Sequence, residues 1–300
     1  MSIWVAGEVL IDILPTGDVV GGGPANTAKA LARLGYDVDF IDGISSDAHG
    51  VSARKELEQD GVGLGLSLRS DKPTCTATVT LDSVGGARYE FFIKGTATFD
   101  FNASWLPDAS MLKPSLLHIG TLSTIIEPGA GALFDWAVRV GEFAPIVFDP
   151  NIRPSVMSDP ATYVAAVEKW ASISSIVKLS DDDIKWLYPD ETLDEVAHRW
   201  ISGGVSCVVV TRGAHGLIGY TEHGMEEVDG AKVSVIDSVG AGDTVGAVIV
   251  EGVIAHSVAG LQGRVLNEIL HKAAVAAGIT CSRAGAQPPY KHELTRAMEK

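Results

Sequence analysis

From Asp237 to Thr244 the chain reads Asp-Ser-Val-Gly-Ala-Gly-Asp-Thr, and an apolar run follows at once. Gly-Ala-Gly at a helix start leaves several backbone N–H groups with no bulky side chain in front of them. Those unpaired amides, with the positive end of the helix dipole, make an anion site. Asp243 falls in the first turn, beside any anion held there. A carboxylate next to a phosphate does not serve binding alone. It does serve a reaction in which it takes a proton from an attacking hydroxyl. The spacing therefore offers phosphoryl transfer, with Gly240, Ala241 and Gly242 as the anion hole and Asp243 as the base. A plainer reading stands at even odds: an acid in a first turn suits the dipole, and two glycines make a tight turn.

The elements that must carry these residues show in the periodicity. Short apolar runs at 3–6, 37–41, 116–119, 145–148, 175–179 and 207–211 read as buried strands. Helical spacing appears at 24–34, 52–59, 129–141, 159–171, 181–187 and 192–202. Runs rich in small residues at 244–255 and 269–280 read as buried helices. This alternation predicts βαβ units and a parallel sheet. The stretch 74–93 differs: it alternates polar and apolar residues around a turn at 82–87, which predicts a hairpin with one wet face. Residues 11–20 could add a further strand to it. One α/β domain over 1–300, with a small projecting sheet, fits the whole chain.

Composition removes several classes. Hydrophobic residues make up 46% of the 300, which excludes intrinsic disorder. Lys plus Arg is 23 against 38 for Asp plus Glu, a net −15, with no basic block. Phosphate backbones and anionic lipid would repel such a surface, so neither nucleic acid nor membrane is expected as a partner. Cys75, Cys207 and Cys281 stand singly, which argues against a zinc ribbon or a dithiol centre. The apolar N-terminus carries Glu8 and Asp12 and no basic flank, and reads as a first strand, not a signal peptide. No run is expected to reach the length of a membrane span. The expected location is the cytoplasm.

Three widely separated blocks, in order, carry a resemblance. Asp237–Asp243 resembles the C-terminal signature of the PfkB, or ribokinase-like, carbohydrate kinases. Residues 21–28, Gly-Gly-Gly-Pro-Ala-Asn-Thr-Ala, resemble that family's glycine-rich first signature, and residues 43–50 its continuation. Within the family, residues 7–15, 118–128 and 148–154 resemble fructokinase-type members. The resemblance implies a three-layer α/β/α ribokinase-like fold with a mainly parallel sheet and a β-sheet lid, built from about 11–20 and 74–98. It implies transfer of the ATP γ-phosphoryl group to a primary hydroxyl of a small sugar, most like fructose.

Roles then follow by position. Asp243 matches the base and Gly240, Ala241 and Gly242 the anion hole. Asp12, Gly22, Gly23 and Asn26 match positions that hold sugar hydroxyls, with Arg88 and Arg153 as further substrate contacts. Lys178, Thr211, Gly213 and Gly216 match the nucleotide side, together with Gly240 and Gly242. Ser180 and Asp183 stand where many members have Asn and Glu linked to Mg²⁺, so Asp183 would reach a metal only indirectly. A capped helix start explains the same residues. Asp237 and Ala286 fall where the family holds a monovalent cation, so K⁺ joins ATP and Mg²⁺ as an expected cofactor. Ala274 stands where many members place an Asn beside the base. A ketodeoxygluconate, ribose or nucleoside kinase remains open, as does a non-catalytic sugar- or nucleotide-binding member. The lid's open edges favour a homodimer.

Overall fold

All four residues of β1 (Ile3–Ala6) are buried, and they alternate between two apolar clusters: Ile3 and Val5 in one, Trp4 and Ala6 in the other. A strand covered on both faces shows this pattern, and it places a sheet between two helical layers. In the computed structural model, which describes residues 2–81 and 87–299, that sheet has eight strands. The turn expected at 82–87 lies outside the described residues, except for Ala87.

Further strands alternate with helices along the chain. A hairpin of β2 (Leu10–Leu14) and β3 (Gly17–Gly21) leads into α1 (Gly23–Arg33). Next come β4 (Val38–Ile41), β5 (Gly43–Ser45), α2 (Ala48–Gln59) and β6 (Leu68–Ser70). The second hairpin is β7 (Thr76–Leu81) and β8 (Ala87–Phe92), followed by a short α3 (Ala109–Leu112). The α/β rhythm then runs through β9 (Leu116–Gly120), α4 (Gly129–Gly141), β10 (Ile146–Asp149), α5 (Pro160–Ala171) and β11 (Ile176–Ser180). After it come α6 (Asp181–Leu187), α7 (Leu193–Ser202) and β12 (Cys207–Thr211). The chain closes with β13 (Leu217–Thr221), β14 (Gly224–Val228), α8 (Ala241–Gly260), α9 (Gly263–Cys281) and α10 (Lys291–Met298).

The large sheet runs β14-β13-β12-β11-β10-β9-β1-β4. It is parallel from β4 to β12, and β13 and β14 add antiparallel at the far edge. Residues of α1, α2, α8, α9 and α10 fill one cluster; those of α4, α5, α6 and α7 fill the other. The six tryptophans divide unevenly. Trp4, Trp136, Trp170 and Trp200 are in the second cluster, with Trp105 and Trp186 packed against it. The α1/α8/α9 side has none.

A separate sheet, β3-β2-β7-β8, forms the lid, with β2 and β7 parallel and both hairpins antiparallel. Asp42 fastens its base, accepting from the Val9 N–H at 2.9 Å and the Gly43 N–H at 2.7 Å. The Thr98 hydroxyl donates to the Val9 carbonyl at 3.0 Å.

Sequence and structure differ at several elements. Helix α2 starts at Ala48, not at 52, because Asp47 caps it by accepting from the Gly50 N–H at 2.8 Å. The hairpin strands β13 and β14, the β5–β6 pair and α10 are additions. Helix α8 corrects the expectation about membrane spans. It has 20 residues and is apolar enough, by length and composition, to cross a membrane. Its apolar residues are spent on α1, α9 and the sheet, which makes it a core helix.

Candidate active site

Asp243 and Asn26 are 217 residues apart, yet the Asn26 Nδ2 donates to Asp243 Oδ2 at 2.8 Å. Helices α1 and α8 pack side by side, so their N-terminal turns meet. The Thr27 hydroxyl donates to the Asp243 carbonyl at 3.3 Å and strengthens the junction. Asn26 Oδ1 is buried with no partner among the described residues, and so is free to accept from a ligand.

The glycines each have a distinct reason. Gly22 has φ 108°, and a Cβ there would overlap the Glu8 carbonyl. Gly23 lies against Thr121, Asn151 and Asp243; a Cβ would come within 3.3 Å of Asp243 Oδ1. Gly240 holds the left-handed conformation that caps α8, with φ 78°, and Ala286 sits 2.6 Å from where its Cβ would be. At Gly242 the limit is a side chain: a Cβ would stand 3.0 Å from Lys178 Nζ.

Lys178 is buried on β11, on the α8 side of the sheet, and pairs with Asp149 of β10 at 2.8 Å. Burial disfavours its charge, but the Asp149 carboxylate more than offsets this and holds its pKa up. Asp243 is 6% exposed. Burial raises its pKa to about 6, with Lys178 opposing, Asp149 adding to the rise, and Asn26 and Arg153 opposing. A carboxyl tuned this way is ionised at neutral pH and still a better proton acceptor than an ordinary aspartate.

Asp12 projects from β2 under the lid, where Gly21 leaves the room it needs. Burial raises its pKa and the Arg153 charge opposes this, which puts both residues at one place. Arg153 is held by its own loop, with Nη1 donating to Asn151 Oδ1 at 2.6 Å and to the carbonyls of Asn151 and Ile152. Asn151 has φ 40° and Thr121 φ 56°, conformations that β-branched residues such as Thr rarely adopt. The turn at 121–124 is tied by the Glu8 carboxylate, which accepts from the Ser123 N–H at 3.1 Å and its hydroxyl at 2.8 Å. Burial raises the Glu8 pKa to about 7. Sequence reasoning passed over Glu8 and Asp42. An acid inside the apolar stretch 1–15 is the available signal for Glu8.

A cleft of about 960 Å³ opens beside Gly242. Thr211, Gly213, Gly216, Ser238, Ala241 and Gly242 line it, with Val233, Ala274 and Gly278 as apolar walls. The turn 213–215 joins the β12–β13 hairpin. Residues 231–235 were not anticipated, although an apolar stretch just before the 237–243 block marks them.

Other expected residues are placed differently. Lys178 does not line this cleft; it lies beneath Gly242. Asp183 is taken up by a capping box: Oδ2 accepts from the Ser180 N–H at 2.9 Å, and Oδ1 from the Ile152 N–H at 3.0 Å. Asp237 ties two loops, accepting from Val239 N–H at 3.0 Å and Gly285 N–H at 2.8 Å. Arg88 is on β8 opposite Thr80, and its side chain lies outside the described residues. Among the described residues no group of three His, Cys, Asp or Glu could cage a metal.

Comparison with known proteins shows the kinship of the chain. The family model for pfkB family carbohydrate kinases matches residues 15–293. A fructokinase of Rhizobium leguminosarum bv. trifolii is 35% identical over 251 residues, covering 81% of this chain and 76% of its own. A fructokinase of Klebsiella pneumoniae is 27% identical over 308 residues, covering 99% of both chains. Among solved structures, a fructokinase from Xylella fastidiosa with bound ATP superposes with a TM-score of 0.90 at 25% identity, covering 100% of this chain and 99% of that one. A Vibrio cholerae O395 fructokinase with fructose, ADP and calcium ion bound gives 0.85 at 25% identity, covering 99% and 98%. A family model that spans nearly the whole chain, and a relative 35% identical over 81% of it, lead to one assignment: the chain belongs to the pfkB family of carbohydrate kinases.

Proposed function

We propose that the protein is an ATP-dependent fructokinase. The observation that carries this is the Asn26–Asp243 contact, which sets a carboxyl of raised pKa where the lid-covered cleft meets the helix-capping glycines. Fructokinase kinship supports the choice of sugar.

Asp12, Asn26 and Arg153 would hold the sugar under the lid, since a carboxylate, an amide and a guanidinium together accept from and donate to a polyol. Gly22 and Gly23 let the backbone approach it, and Arg88 would close from β8. ATP would lie along Thr211, Gly213 and Gly216, with its γ-phosphate at the N–H groups of Gly240 and Gly242; the Ala241 N–H, expected in the same role, donates instead to the Ser238 carbonyl at 3.2 Å. The sugar hydroxyl oxygen attacks the γ-phosphorus while the bond to the β-phosphate oxygen breaks. Asp243 takes the hydroxyl proton, and ADP leaves. The anion-hole amides and Lys178 meet the developing charge.

Among the described residues no group of three His, Cys, Asp or Glu would cage a resident divalent ion, so Mg²⁺ would enter as part of the nucleotide substrate. A monovalent cation fits better. Asp237 already fastens the anion-hole turn to the Gly285–Ala286 loop, so these residues would hold K⁺ and steady that turn. The reading places the enzyme in the cytoplasm, which suits its three unpaired cysteines, and as a dimer joined through the lids.

The test is an ATP-consumption screen over fructose, ribose, ketodeoxygluconate, tagatose and nucleosides, with K⁺ or Na⁺ as the counter-ion. Fructose should give the highest kcat/KM, and K⁺ should stimulate. A preference for another sugar would correct the substrate, and no turnover with any would overturn the reading.

A further inference from the structure

The ion pair of Lys178 and Asp149 is built with a conspicuous asymmetry. Both side chains are at most 5% exposed. Asp149 Oδ2 accepts from the Lys178 ammonium at 2.8 Å, while Asp149 Oδ1 is buried with no partner among the described residues. A carboxylate kept only to stabilise the sheet would have both oxygens satisfied, because an unpaired buried oxygen costs stability. The ammonium in turn stands beneath Gly242, 3.0 Å from where a Cβ on that glycine would be. Three other ionisable groups face it: Asp243 from α8, Asp183 from α6 and the buried His118 from β9. Of the carboxylates, Asp243 is the one that must stay free to accept a proton.

We propose that Asp149 is a positioning residue that acts through Lys178: it holds the ammonium under the anion hole and away from Asp243. Without it, the buried cation turns to the nearest remaining acid. Pairing with Asp243 would quench the base and empty the site beneath the phosphoryl group in one movement. Asp149 itself touches neither sugar nor nucleotide. The inference rests on the kinase reading of this site.

A mutant cycle tests it, with kcat and KM measured for sugar and ATP. Asp149→Asn should lower kcat about 10–100-fold and change the KM for sugar less than about threefold. Lys178→Met should lower kcat at least as far. Asp149→Glu, which restores the charge, should recover part of the loss. In the double variant, with no ammonium to misplace, Asp149→Asn should cost nothing beyond Lys178→Met. If Asp149→Asn does not fold, Lys178→Met against the double variant still decides, because the double variant buries no unpaired charge. Equal kcat in that comparison supports the inference. A further tenfold loss in the double variant, or wild-type kcat in Asp149→Asn, overturns it. A wild type that phosphorylates no sugar would instead overturn the kinase reading.

Discussion

Asp243 gives opposite answers to activity and to stability, and each can be measured. For activity the base must be ionised, so kcat/KM should rise with pH through a midpoint at about 6. Asp243→Asn keeps the shape and the Asn26 contact but accepts no proton; kcat should fall about 10²–10⁴-fold with little change in ATP affinity. For stability the sign is reversed. The folded-state pKa is raised from 3.8, so the group contributes fully below about 4, and that contribution is lost as pH rises through about 6. Asp243→Asn should therefore match wild-type stability near pH 4 and exceed it at pH 7.5, by up to about 3 kcal/mol. Melting curves at the two pH values check this, and a less stable Asn variant at pH 7.5 would refute it. At this scale the sequence was most legible where residues sit in a motif, as Asn26, Asp12 and Asp243 do. Lys178 and Asp149 were harder. Each reads as a polar residue near the end of an apolar strand, and only the pairing of β10 with β11 shows that they face one another.

At the scale of elements, the two glycines of the anion hole should respond differently to substitution. The sequence reads Gly240 and Gly242 together as a tight turn; in the structure only Gly240 takes the left-handed conformation, with φ 78°. Gly242→Val should fold normally and lose phosphoryl transfer by pushing Lys178 aside, and a comparison of its melting temperature and turnover with wild type checks this. An active Val variant would mean that this turn does not cradle the phosphate. Asp47 joins two elements: beyond capping α2, it accepts from the Thr74 N–H at 2.8 Å and hydroxyl at 2.6 Å, just ahead of β7. Although burial acts against it, these bonds and that from Gly50 hold its pKa at about 2. Asp47→Ala should cost about 1 kcal/mol, as lost caps do, and raise proteolysis near residue 74. Unchanged cleavage would show that the lid is not fastened there. Helices with clean periodicity, such as α4 and α7, were legible to within a residue. The start of α2 was not, because its cap residue precedes Gly50 and hides the helical pattern. Neither was the β13–β14 hairpin, since strands 217–221 and 224–228 follow no helix and break the parallel rhythm.

For the whole molecule, Asp12, Asn26 and Arg153 are not among the residues that line the cleft of Thr211–Gly216, so sugar and nucleotide should bind separately. Asp12→Ala should weaken sugar about 10–100-fold, given about 1.5–3 kcal/mol for hydrogen bonds to a charged group, and leave a non-hydrolysable ATP analogue unaffected in calorimetric titration. A weakened nucleotide with untouched sugar would show that the clefts were assigned the wrong way round. Legibility followed the same division: the parallel sheet and the small projecting hairpin follow from periodicity, and the three layers from the resemblance, whereas which ligand each loop serves depends on contacts between distant segments. The uneven placement of the tryptophans has an optical consequence. Every indole belongs to the layer of α4–α7 or its edge, while Asn26 and Asp243 are carried by α1 and α8 on the opposite face. Tryptophan emission is thus a gauge of one half of the molecule, dark to the half that does the chemistry. In refolding from denaturant, emission would report the closing of the α4–α7 layer, and turnover would report the meeting of Asn26 with Asp243, two clocks readable in a single cuvette.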